Sequence, residues 1–181
     1  DKLSSRHFYQ TMTQILPSYR QTFINNANAH DLDWQLLVAM GYQESHLDPN
    51  AVSPTGVRGL MMLTNATAEE VGVTNRVDPV QSIAGGAKYL SQILTQFDNA
   101  APSDQVWFTL AAYNMGAQAV KDIQDKLHTQ GLDGTRWAEV YRYMAENRDS
   151  NSRYQQCMDY VTHIRGYLET LKQQDIQEHL T

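Results

Sequence analysis

Apolar residues recur at three-and-four spacing along nearly the whole chain, the pattern of amphipathic helices rather than strands. Residues 5 to 29 are expected to form a first pair of helices, with Pro17 marking the break or the first turn of the second. Asp33 reads as the N-cap of a third helix running to about His46. Its segment WQLLVAMGY, residues 34 to 42, is apolar at every position except Gln35, so it belongs inside a core. Asp48-Pro49-Asn50 should close it, because the residue before a proline is pushed out of the helical region.

Residues 50 to 64 are expected as a loop with a short β-excursion, ending on the apolar run from Leu60 to Leu63. TNATAEEVG then predicts a short helix with Gly72 just past its end. Asp78-Pro79 predicts the next start, an N-cap followed by Pro at the first helical position. That helix should carry Val80, Ile83, Ala84, Ala87, Leu90, Leu94 and Phe97 on one stripe. Gly85 and Gly86 in its interior each cost roughly 1 kcal/mol relative to Ala, so another helix or a ligand is expected to approach them closely. VWFTLAAYN is apolar all round and predicts a central helix broken at Met115-Gly116. Three further helices should fill residues 117 to 178, the last with Tyr154, Cys157, Met158, Val161, Ile164, Leu168 and Leu171 on one stripe. No solenoid-length repeat occurs, against a helical-repeat adaptor. The expectation is a mainly α chain forming one compact domain over residues 1 to 181, with residues 1 to 30 as an N-terminal helical pair.

Composition narrows the partners. The 181 residues can bury one sizeable core, and 41% hydrophobic with 19% charged residues is ordinary for a globular domain. A net charge of −6 without a basic run argues against nucleic acid or an anionic membrane surface. Cys157 is the single cysteine, so no internal disulfide forms. No apolar run reaches membrane-span length, so this module is not expected to span a membrane, and no secretory signal opens it. The chain starts at DKLSSRHFY without an initiator Met and is read as a mature product or a module excised from a longer protein.

The candidate chemistry centres on Glu44. At about 100° per residue it shares a face with Leu37, Met40 and Gly41, a face that should point inward. Desolvation and the negative end of the helix dipole both favour its protonated form, which a general acid needs near neutral pH. The bland alternative is a glutamate at a fraying helix end. The histidines (His7, His30, His46, His128, His163 and His179) lack metal-site spacing, and Cys157 on an apolar stripe suits packing better than nucleophilic work. No GxSxG, phosphate loop or GxGxxG occurs. Neither a metal nor a cofactor is expected; a carboxylate reaction remains.

Glu44-Ser45, Ser53, Gly56-Val57-Arg58-Gly59-Leu60-Met61, Ala112-Tyr113-Asn114-Met115-Gly116 and Tyr160-Val161 resemble, in order and separation, the motifs of the lytic murein transglycosylases with the goose-lysozyme-like fold. The match spans residues 33 to about 170. It looks most like the membrane-bound F type, in which such a module follows a solute-binding-protein-like domain. The resemblance implies a goose-type lysozyme-like helical fold and peptidoglycan glycan strands as substrate. It also implies a bacterial periplasmic location, with outer-membrane association and a regulatory N-terminal domain supplied by parts outside this chain.

The resemblance makes Glu44 the single catalytic acid, which protonates the glycosidic oxygen between N-acetylmuramic acid and N-acetylglucosamine. The resulting carboxylate then takes the proton of the muramic acid C6 hydroxyl, closing a 1,6-anhydro ring without water. It implies that Ser53 bonds near the N-acetyl group, Tyr113 orients Glu44 and Asn114 lines the cleft. Ser45, Gly59, Met61, Met62 and Tyr160 are further substrate-side candidates, Met61 as cleft wall. The bland alternatives are a turn serine for Ser53, core tyrosines for Tyr113 and Tyr160, and a helix C-cap for Asn114. The sequence departs from the family pattern at Val57, where Ala is usual, at Met62, where Gln commonly contacts the glycan, and at Gln156-Cys157, where Glu-Thr is often found. Two other readings stay open. A lysozyme-like hydrolase would need a second carboxylate, with Asp48 nearest and Asp78, Glu69 and Glu70 more remote; a non-catalytic glycan-binding module would bind without turnover.

Overall fold

The computed structural model describes residues 2–180, with side chains through residue 175, so the side chain of His179 lies outside the described residues. The chain divides into two compact units. Unit 1 holds the described residues up to Tyr89 and those from Gly166 onward; unit 2 is Leu90–Arg165. Among the described residues the regular structure is helical, as the periodicity predicts. No helix there is long and apolar enough to cross a membrane.

Unit 1 opens with α1 (Lys2–Gln14) and α2 (Leu16–Ala29), Pro17 lying in the first turn of α2. They bury Phe8, Met12, Leu16, Phe23 and Ala27, at the spacing of an inward-facing stripe. Helix α3 (Trp34–Ser45) starts where expected: Asp33 Oδ1 accepts the Gln35 N–H at 2.9 Å, and Oδ2 pairs with Lys172 Nζ at 2.6 Å. Every residue from Gln35 to Tyr42 is buried, which makes α3 the centre of this unit. Tyr42 meets Phe8 and Tyr167 edge-on at 4.9 and 4.8 Å, while Phe8 and Tyr167 stack at 5.3 Å.

Helix α3 ends at Ser45, before the Asp48-Pro49 pair. His46 and Leu47 take φ of +57° and +61°, conformations that cost a non-glycine residue about 1–2 kcal/mol each. Burial offsets the cost. Leu47 is buried, and its Cδ2 would lie 3.0 Å from a Cβ on Gly41, as would that of Leu60. Burying one leucine contributes about 1.5–3 kcal/mol, so the bare surface at Gly41 decides where the helix stops.

Residues 50 to 64 make the expected β-excursion in minimal form, with isolated antiparallel bridges Val52–Arg58 and Arg58–Leu63. Helix α4 (Asn65–Val71) ends on Gly72 at φ +80°. Helix α5 (Pro79–Leu94) begins with Asp78 Oδ1 accepting the Val80 N–H at 3.1 Å. Its stripe differs from the expected one. Val80 is 55% exposed, and Phe97 falls in a 3-10 turn beyond the helix. Ser82, Ile83, Gly85, Gly86, Ala87, Leu90 and Ile93 are the buried positions. Side chains, rather than a helix or a ligand, approach the glycines: a Cβ on Gly86 would lie 2.8 Å from Met61 Cγ, and one on Gly85 2.4 Å from Val73 Cγ2.

Unit 2 is built on α6 (Gln105–Met115), which buries Phe108 through Ala112 and Met115 and stops at Gly116, φ +93°. Around it lie α7 (Ala117–Thr129), α8 (Trp137–Glu146) and the first part of α9 (Ser152–Leu180). Tyr154, Cys157, Met158, Val161 and Ile164 are buried on α9 as its stripe predicts. Burial pushes the Cys157 thiol up to about 12, so it stays protonated and serves as packing.

Candidate active site

Glu44 occupies the last turn of α3, partly buried, two residues beyond the buried run that ends at Tyr42. The next residue ties this turn to the loop opposite. Ser45 Oγ donates to the Leu60 carbonyl at 2.7 Å and accepts the Asp48 N–H at 3.1 Å. The other end of the same Leu60–Met61 peptide is held from α5, where Ser82 Oγ accepts the Met61 N–H at 3.0 Å. One peptide plane is thus gripped by two serines on two helices, Ser82 being fully buried.

The rest of the loop is held as firmly. Arg76 Nη1 donates to the carbonyls of Gly56 and Leu63, at 2.9 and 3.0 Å. Gly59 has φ +89°, and a Cβ there would meet the Arg76 carbonyl oxygen at 1.9 Å. Only glycine fits such a contact. Met61 is buried beneath Gly86, so its side chain packs in the core. Met62 is partly buried with φ +51°, and its N–H donates to the Gly59 carbonyl at 3.0 Å.

Ser53 serves its own turn. Its Oγ accepts the N–H groups of Thr55 and Val57, both at 3.2 Å, and shares a hydrogen bond with Thr55 Oγ1 at 2.9 Å. Asp48 is exposed and its Oδ1 accepts the Asn50 N–H at 2.9 Å, the local turn that an Asp-Pro pair favours. Asp78 caps α5 and its Oδ2 accepts from Gln81 Nε2 at 3.2 Å. Glu69 and Glu70 are exposed on α4.

Beside the acid lies a ring cluster that no motif signals. His46 stacks on Tyr42 at 4.6 Å and lies 4.6 Å from His7, whose Nδ1 is 2.6 Å from the Tyr42 hydroxyl. Burial, and then the neighbouring His7, hold the His46 imidazole below its usual value. Arg76 and Ser82 escaped the sequence reading as well; each acts on a partner distant in the chain.

The remaining site candidates belong to unit 2. Tyr113 is partly buried and Asn114 exposed on the last turn of α6, while Tyr160 is buried on α9. Arg153 donates from its guanidinium to the carbonyl of Met115, directly after this pair.

The two serines make a testable pair. Ser45→Ala and Ser82→Ala should each lower stability by about 1–2 kcal/mol. The double variant should lose less than the sum of the two, because a peptide freed at one end relaxes before the second anchor goes. Urea unfolding of all four proteins measures this; strict additivity would mean that the anchors act independently.

The chain also matches known proteins. A family model described as Transglycosylase SLT domain matches residues 21–132. The membrane-bound lytic murein transglycosylase F of Shewanella halifaxensis (strain HAW-EB4) is 43% identical over 190 residues, covering 99% of this chain and 40% of its own length. The protein of the same name from Stutzerimonas stutzeri (strain A1501) is 42% identical over 174 residues, covering 91% and 36%. The chain therefore spans about two fifths of the length of these curated relatives. The X-ray structure of an inactive mutant of the lytic transglycosylase Slt from Pseudomonas aeruginosa matches with a TM-score of 0.64 at 23% identity, over 86% of this chain and 24% of that one. That likeness shows the mainly helical fold that the periodicity predicts. With the family model covering more than half of it, this chain belongs to the Transglycosylase SLT domain family.

Proposed function

We propose that this module is a peptidoglycan lytic transglycosylase in which Glu44 serves first as general acid and then as general base. The observation that carries the reading is the contrast among its carboxylates. Glu44 closes a buried helix, whereas Asp48 and Asp78 are occupied in capping their own segments and Glu69 and Glu70 are exposed. Hydrolysis by the usual two-carboxylate routes needs a second group to activate water or to act as nucleophile. Ring closure needs one. Glu44 gives its proton to the glycosidic oxygen as the bond to the muramic acid C1 breaks. The resulting carboxylate takes the proton of the C6 hydroxyl, whose oxygen bonds to C1, so no water is consumed and Glu44 is restored.

For Tyr113, Asn114 and Tyr160 the motifs alone support a part in the same reaction. Ser53 reaches the N-acetyl group if its hydroxyl gives its hydrogen to the sugar while the Thr55 hydroxyl donates to Ser53 Oγ. Met62 supplies no amide to the glycan, so one polar sugar contact common in the family is absent. The names of the longer relatives support work at the bacterial envelope, in the periplasm, with membrane attachment and any regulatory domain lying in further parts of a longer protein.

Mass spectrometry of the soluble products from purified peptidoglycan tests the reading. Muropeptides one water lighter than the hydrolytic products are expected. Reducing-end products would make the enzyme a hydrolase and point to a second carboxylate. Binding without release would make it a glycan-binding module.

A further inference from the structure

We propose that unit 2 carries a second binding site, a cleft of about 500 Å³ whose Arg136 and Arg165 take the carboxylates of the peptide stem attached to the glycan. The identity of the ligand rests on the peptidoglycan reading above; the chemistry of the cleft does not. None of the residues assigned to the acid reaction lines it. Its volume is that of an ordinary small-ligand site.

The cleft joins cations to ring faces. The Arg165 guanidinium lies 4.2 Å from the centroid of the Trp107 ring. A guanidinium over a ring face can lie flat on it and keep its N–H donors free along its edges. Those edges match a carboxylate in bidentate fashion. Because the contact with Trp107 already restrains the side chain, binding loses less of its freedom. Arg136 precedes Trp137, and the Trp137 and Tyr141 rings lie 6.4 Å apart. Tyr141, which lines the same cleft, is 40% exposed.

Charge separates an anion from a neutral sugar as the occupant. Among the described residues neither arginine forms an ion pair. The one carboxylate in the lining, Asp104, is turned to the start of α8, where its Oδ2 accepts the Trp137 N–H at 3.0 Å. Within the lining two arginines stand against one engaged carboxylate; Asp133, outside the lining, partly offsets Arg136, which leaves Arg165 the stronger positive spot on a chain of net charge −6. A neutral glycan would use the rings and leave the Arg165 guanidinium unanswered. Nucleic acid would want a basic stripe that this chain lacks. A stem peptide offers several carboxylates on a flexible chain beside apolar methyl groups, which suits both halves of the cleft.

The test is titration of the whole 181-residue chain with the free tetrapeptide L-Ala-γ-D-Glu-meso-diaminopimelate-D-Ala, followed by the NMR signals of the tryptophan indoles. The peptide should shift Trp107 and Trp137 and leave Trp34, in unit 1, unmoved. Arg165→Gln and Arg136→Gln should each weaken binding at least about tenfold. Added salt should weaken it too, and a peptide with all carboxylates amidated should not bind. Chitotetraose should not compete at Trp107. No shift of Trp107 at millimolar peptide, or equal binding by the variants or by the amidated peptide, would overturn the proposal. The two readings fail separately. Glu44→Gln should retain these shifts, and anhydro products without them would leave the enzyme and remove the cleft. Arginine-dependent shifts without anhydro products would do the reverse.

Discussion

Glu44→Gln should be a folded protein that releases no anhydro-muropeptides, with turnover down by at least about 10³-fold. Gln keeps the volume and the hydrogen-bonding reach of Glu but can neither donate a proton to the leaving oxygen nor take one from the C6 hydroxyl. Both halves of the reaction therefore fail together. Stability should barely move, because Glu44 is only partly buried and α3 draws its burial from Gln35 to Tyr42. Glu44→Asp keeps the chemistry but draws the carboxyl back by one methylene, and should lose about 10²-fold through misplacement alone. Initial rates on purified peptidoglycan with melting curves for both variants measure this. Activity of the Gln variant within tenfold of the parent would remove Glu44 from the chemistry.

The largest effect on stability should come from Gly59→Ala. Gly56 and Gly59 share a φ of +89°, but a Cβ on Gly56 meets nothing within 4 Å, whereas one on Gly59 would lie 1.9 Å from the Arg76 carbonyl oxygen. Gly56→Ala should cost about 1–2 kcal/mol, the conformational penalty alone. Gly59→Ala adds a clash of backbone against backbone, which no side-chain rotation relieves, and should cost about 4 kcal/mol or more. In a chain of this size each kcal/mol moves Tm by about 2–4 °C, so calorimetry separates the two variants. Moving the loop also shifts the Leu60 carbonyl that Ser45 holds next to Glu44. Activity of Gly59→Ala should therefore fall at least about tenfold, a misplacement effect, even below its melting point. Equal Tm losses for the two variants would mean that the loop yields easily and that Arg76 does not fix it.

The sequence by itself determined the features that close over a few residues. Asp33, Asp78-Pro79, Gly72 and Gly116 mark helix ends because a cap is satisfied within one turn of chain. The nearly all-apolar segments before Glu44 and Asn114 forecast buried helices, since a helix apolar on almost every face has no stable place at a surface. The ordered motifs carried the family, and they singled out Glu44 among the acids.

Only the tertiary structure decided how that acid is framed. The contacts that build the loop beside it join residues 13 to 21 apart: Ser45 with Leu60, Ser82 with Met61, and Arg76 with Gly56 and Leu63. His7 reaches Tyr42 from 35 residues away. Gly85 and Gly86 announced a close approach, but not that Val73 and Met61 would make it. Leu47, rather than Pro49, ended α3, because burial against Gly41 outweighed the cost of a left-handed backbone. Hydrogen bonds and packing between distant residues depend on how helices meet, and helical periodicity specifies which face is apolar without specifying what that face will touch.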